Sequence, residues 1–222
     1  MFLSIILPVL LCFIPLIVGF LVFSVGFKTR AAHFVVAMLL GLVAVLPISI
    51  IQFFLPEISL FGAYPILRSI LKSVLLYGFV EELLKCIFML PIPKKEKSAL
   101  DFLILAFTFG LTLGCFESVV YYLDHLQLAT SRGATLLYGS IFVRIFSSDI
   151  IHMCCAGLGG LFIFSIVKKQ TKVSCLICAI LIHGFYDFFA GFQNGLKWFA
   201  IFAVLLAIVE CRIKYQVLSE EN

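Results

Sequence analysis

The sequence predicts an all-α fold, a polytopic membrane protein of about seven transmembrane helices with its N-terminus outside and its C-terminus cytoplasmic. Three observations carry this expectation. Of 222 residues, 63% are hydrophobic and only 13% charged, and the mean hydropathy of +1.19 lies far from that of a soluble domain. Apolar runs near or above the roughly 20 residues needed to cross a bilayer core recur along the whole chain. Basic residues fall in short clusters between those runs rather than on one face.

In order, the spans fall at approximately 2–26, 32–55, 66–91, 101–124, 136–167, 173–191 and 197–211. Span one has no Lys or Arg ahead of its apolar stretch, so the charged start of a secretory signal is missing and a retained helix is expected. Span two carries no Asp, Glu, Lys or Arg. Span three begins with Arg68 and Lys72, which make its start amphipathic, and carries Glu81, Glu82 and Lys85 further in. Span five would make a helix of roughly 48 Å, too long for the core. Its first third holds Arg144, Ser147, Ser148 and Asp149, and is expected outside the core or against a water-filled cavity. After span seven a short polar tail runs from Gln216 to Asn222. No linker or internal repeat divides residues 1–222, so one integral membrane domain is expected.

Orientation follows from the loops. Lys28, Arg30, Lys94, Lys95, Lys97, Lys168, Lys169, Lys172, Arg212 and Lys214 all fall on one side if every span crosses. The opposite side holds Arg132 and Lys197, with Arg68 and Lys72 at a span end. The positive-inside rule makes the richer side cytoplasmic. The same distribution argues against a nucleic-acid partner despite the net charge of +4. All eight cysteines lie inside apolar stretches, where a thiol serves as a small hydrophobe. Cys175 and Cys178 form a CxxC, but without the second pair of a zinc ribbon or the soluble context of a redox motif.

Charged groups in a span cost roughly 2.5–3.5 kcal/mol each on insertion scales, so those that persist need partners or a function. On a helix Lys85 reaches Glu81 at i, i+4 and Glu82 at i, i+3, while the two carboxylates point about 100° apart. One carboxylate is thus neutralised and the other is left facing inward. Glu117 and Tyr121 share a face of span four, His152 follows Ser148 and Asp149 by one turn in span five, and Asp187 stands one turn from His183 in span six. Counted from the cytoplasmic ends at 1.5 Å per residue, Glu81 and His183 lie roughly 15 Å up, and Glu117 and His152 roughly 22 Å up. Four spans therefore place acids and imidazoles in one slab, as a single site requires.

That set lacks a GxSxG or a paired Cys and His, and it suits activation of water: a carboxylate takes a proton, imidazoles or a metal stabilise the oxyanion, and a lysine fixes the base. Two other classes remain open. A proton- or ion-coupled transporter also carries buried acids and histidines, but matching Gly/Pro-broken halves are missing. A catalytically inactive scaffold of the same fold would bind a partner helix.

EExxK at 81–85, FExxxY at 116–121 and HxxxD at 183–187, in that order with His152 between, resemble the motif set of the PrsW family of intramembrane proteases. That family belongs to a wider clan with the type II CAAX prenyl endopeptidases and the bacterial CPBP proteins. Lys85, Glu117 with Tyr121, and Asp187 favour the PrsW branch, and the likeness covers about residues 65–190. The resemblance implies an intramembrane endopeptidase that cuts a single-span membrane protein near the outer face, as in site-1 cleavage of an anti-sigma factor. It implies a multi-pass protein of the cell membrane, the bacterial inner membrane in the founding branch. It also implies that Glu81 and Glu82 hold and deprotonate water and that Lys85 pairs with the carboxylate not acting as base. Glu117, His152 and His183 would complete the pocket, with Asp187 orienting His183. A metal-free glutamate mechanism is the preferred expectation, and Zn²⁺ on Glu117, His152 and His183 the alternative.

Overall fold

The structure is a computed structural model that describes residues 2–27, 29–54, 64–94, 97–132 and 134–220. Lys28, Lys95 and the expected end of span two at residue 55 lie outside them. The described residues are helical almost throughout: α1 (Phe2–Cys12), α2 (Ile14–Gly26), α3 (Ala31–Phe54), α4 (Pro65–Leu71), a π-helical segment (Lys72–Phe79), α5 (Val80–Met89), α6 (Ala99–Arg132), α7 (Ala134–Phe146), α8 (Ser148–Val167), α9 (Val173–Ala190), a 3₁₀ turn (Gly195–Trp198) and α10 (Phe199–Glu220). Among them, five stretches are long and apolar enough to cross a membrane: Ile6–Gly26, Ala31–Phe54, Ala99–Leu126, Tyr138–Val167 and Val173–Ala190.

Local chemistry explains most boundaries. Pro15 in the first turn of α2 and Pro65 at the start of α4 fix φ where no intrahelical donor is needed. Pro91 and Pro93 follow α5 and stop it. Ser98 caps α6 reciprocally: its Oγ accepts the Asp101 N–H at 3.1 Å and donates to Asp101 Oδ2 at 2.7 Å. The overlong fifth span is resolved by a break at Ser147, which leaves α8 with 20 residues, about 30 Å. The final helix runs past the expected end at 211 to Glu220.

α6 and α8 form the centre of the bundle. Their spans Ala99–Leu126 and Tyr138–Val167, the latter including the end of α7, are 78% and 72% buried over their apolar stretches, against 17% for the first span and 28% for α3. Lipid chains are as apolar as leucine, so close packing rather than hydrophobicity must hold these helices together. Ala106, Gly110, Ala156 and Gly160 supply small side chains at the α6–α8 contact, and Phe102 stacks on Phe164 with centroids 6.1 Å apart. Outer faces are apolar, with Leu46, Phe53, Ile66 and Phe202 all more than 60% exposed, as a lipid-facing surface requires.

The contact between α9 and the π segment sets the site. A Cβ on Gly78 would come 2.5 Å from the Ile180 carbonyl oxygen, and one on Gly184 would come 2.6 Å from Val74 Cα. Only glycine at both positions allows the two backbones to touch, and that contact brings His183 onto Glu82.

Candidate functional site

Four helices converge on one buried cluster. From α5, Lys85 Nζ donates to Glu82 Oε1 at 2.7 Å and lies 3.1 Å from Glu81 Oε1. Glu82 and Lys85 are wholly buried and Glu81 nearly so, so the ammonium neutralises carboxylates that water cannot solvate. α9 brings His183, whose Nδ1 lies 2.7 Å from Glu82 Oε1. α8 brings His152, whose Nδ1 is 3.1 Å from both Glu81 Oε1 and Lys85 Nζ. α6 brings Glu117, whose Oε2 contacts His152 Nε2. The two imidazoles meet edge to face with centroids 5.0 Å apart.

All seven residues singled out from the sequence thus lie in one cluster. Asp187 sits at its edge, with Oδ2 3.7 Å from His183 Nε2 and its side chain 29% exposed. The firmer hold on His183 comes from Glu82 rather than from Asp187, because the Glu82 contact is an angstrom shorter. Glu117 is the most open of the acids, its side chain 46% exposed.

Several participants escaped the motif reading. Gln52 of α3 donates Nε2 to Glu81 Oε2 at 2.9 Å, and its signal was a lone amide in an otherwise apolar span. Arg144 of α7 donates Nε to Ser118 Oγ at 3.0 Å and Nη2 to Ser148 Oγ at 2.9 Å. Its Nη2 also lies 3.5 Å from Glu117 Oε2, and its guanidinium covers the Tyr121 ring at 4.6 Å. Ser118 in turn donates to the buried Asp149 at 2.9 Å. The polar first third of the fifth span is therefore packed against the site.

Glu81, His152 and His183 each offer a ligand atom, all within 4.8 Å of one another. This grouping puts Glu81 where the sequence reading put Glu117. The donor set fits a catalytic metal: two nitrogens and a carboxylate oxygen leave a coordination position open. Each imidazole also has one nitrogen held by a carboxylate, Glu82 on His183 Nδ1 and Glu117 on His152 Nε2, the arrangement that fixes metal-binding histidines. Glu81 Oε1 has no hydrogen-bond partner of good geometry despite its burial.

A family profile described as PrsW family intramembrane metalloprotease matches residues 29–210. The chain belongs to that family. The match extends beyond the motif-bearing core to α3 and most of α10, and it makes this multi-pass membrane protein a peptidase. No curated protein and no solved structure matches the chain. For a PrsW protein, a site in which carboxylates and imidazoles from four helices meet away from lipid is the setting that hydrolysis inside a membrane requires: water and charge must be sheltered by protein.

Proposed function

We propose that this protein hydrolyses a peptide bond in a single-span membrane protein near the outer face of the cell membrane, a site-1-type cleavage of which an anti-sigma factor is one example. Seven crossings, with the N-terminus outside and the C-terminus cytoplasmic, fit the basic loops and place the cluster from the midplane outward. The supporting observation is the shared position of Glu81 Oε1, His152 Nδ1 and His183 Nε2, with Glu82 and Glu117 gripping the imidazoles from behind.

In this reading Glu81, His152 and His183 are the residues that would hold Zn²⁺, and the ion would supply Lewis-acid polarisation there. Glu82 and Lys85 form the rigid frame: Lys85 balances the two carboxylates, and Glu82 fixes the ring of His183. Glu117 steadies His152 through Nε2, while Asp187, whose Oδ2 lies 3.7 Å from the His183 Nε2 that faces the shared position, accepts a proton from the attacking water as the water oxygen bonds to the carbonyl carbon and returns it to the amine as the C–N bond breaks. Arg144 holds Glu117 in place, and the surrounding helices keep out bulk water.

One observation favours a metal-free glutamate route instead. The Lys85 ammonium lies 3.1 Å from two of the three candidate ligand atoms, Glu81 Oε1 and His152 Nδ1, and already supplies a cation there. Cleavage of a panel of single-span substrates by purified protein separates the two routes. Wild type, Glu81→Gln, Glu82→Gln and His183→Ala are compared with and without a chelator and Zn²⁺ add-back. Loss on chelation with recovery on Zn²⁺ is the expected result. Chelator-resistant cleavage that the variants abolish would establish the glutamate route, and inert wild type would remove the protease reading.

A further inference from the structure

Beside the site, a cavity of about 260 Å³ lies between the α4–π segment and the C-terminal turns of α9. At roughly 30 Å³ per water this exceeds a packing defect several-fold and has room for one long side chain. Ser69, Lys72, Ser73, Tyr77, Asp187 and Phe188 contribute to its wall. Asp187 is common to the cavity and the catalytic cluster, since its Oδ2 lies 3.7 Å from His183 Nε2. A chain whose side chain fills the cavity therefore runs directly past the imidazole.

The lining is rich in donors. Lys72 Nζ sits 5.8 Å from the centroid of the Tyr77 ring, and among the described residues no carboxylate lies within ion-pair distance of it. Two hydroxyls, from Ser69 and Ser73, and the Tyr77 phenol share the wall. Asp187, the one acid there, is turned to His183. An ammonium beside hydroxyl donors in a partly desolvated cavity is a carboxylate receptor.

We propose that this cavity is a specificity subsite that accepts an acidic side chain, Glu or Asp, of the substrate beside the scissile bond, with Lys72 as its reader. The inference rests on the proteolytic reading above and deepens it. Glutamine would offer the ammonium only a neutral acceptor, an aliphatic residue none, and lysine would be repelled.

The test uses purified full-length protein and a cleaved single-span substrate whose scissile bond has been mapped by mass spectrometry. Each of the three residues on either side is set in turn to Glu, Gln or Lys, and kcat/KM is compared within each enzyme. Wild type should favour Glu over Lys by about 10-fold or more at one position, the scale of one charge-assisted hydrogen bond. Lys72→Gln should bring that ratio close to one, and Lys72→Glu should invert it. Because the ratio is internal to each enzyme, it does not depend on how much of a variant folds. A wild-type ratio near one at every position, or a ratio unmoved in Lys72→Glu, overturns the subsite while leaving proteolysis intact. Failure of wild type to cleave any substrate removes both.

Discussion

Replacing Gly184 with alanine tests whether a backbone contact positions the imidazole of His183 in the proposed site. The new Cβ would stand 2.6 Å from Val74 Cα and 2.9 Å from Val74 Cγ2. Ordinary contact begins at 3.4 Å, and because the nearest atom is backbone, no rotamer change relieves the clash. α9 and the π segment must separate by about 0.8 Å, the shortfall between those two distances. His183 is the adjacent residue, so its 2.7 Å contact with Glu82 would stretch to about 3.5 Å, the edge of a hydrogen bond. A misplacement of about 1 Å can cost on the order of 10²-fold in rate, so kcat/KM should fall by about 30-fold or more. Overpacking should also lower stability by about 1–3 kcal/mol. Proteoliposome cleavage assays paired with thermal unfolding would separate the two effects, with Gly26→Ala, where nothing lies within 4 Å of the new Cβ, as the control. Activity within about 3-fold of wild type in a fully folded Gly184→Ala protein would refute the argument.

Further outcomes follow from the same geometry. Lys85→Met removes the buried cation from Glu81, Glu82 and His152 and should destabilise the protein by about 3–5 kcal/mol as well as abolish cleavage; a melting temperature equal to that of wild type would count against the ion-pair frame. Arg144→Lys keeps the charge but loses the planar fork that engages Ser118, Ser148 and Glu117 at once. It should lower kcat by about 10-fold with little change in KM, the signature of an interaction that matters most in the transition state. A rise in KM alone would instead mark Arg144 as a substrate-binding group.

The composition and apolar spacing made the helical membrane architecture legible, and motif order made the family legible, because charges in lipid are too costly to occur without purpose. The depth comparison put Glu81, Glu117, His152 and His183 in one slab, and in the structure their side chains lie together. Spacing along one helix, however, cannot reveal partners on another. His183 and Asp187 are a turn apart in sequence, so Asp187 looked like the orienting acid, whereas the tighter partner is Glu82, more than a hundred residues away. Glu81 replaced Glu117 in the candidate metal set for the same reason. Arg144 and Gln52 belong to no motif, and only the break at Ser147 and the packing of α3 bring them in. The π-helical turns left no trace in the periodicity, since one extra residue per turn cannot be told from a drift in the apolar face.

Those π turns also separate two phases of the chain. An α-helix advances about 100° per residue, so removing one residue from 72–79 and restoring regular hydrogen bonding would swing everything upstream around the axis. Glu81, Glu82 and Lys85, on the downstream side, would keep their register against His152. Lys72 would leave the cavity wall. Because Val74 in the same turns touches Gly184, a single insertion or deletion here would move the seat of His183 together with the cavity wall, so one short segment ties the two together.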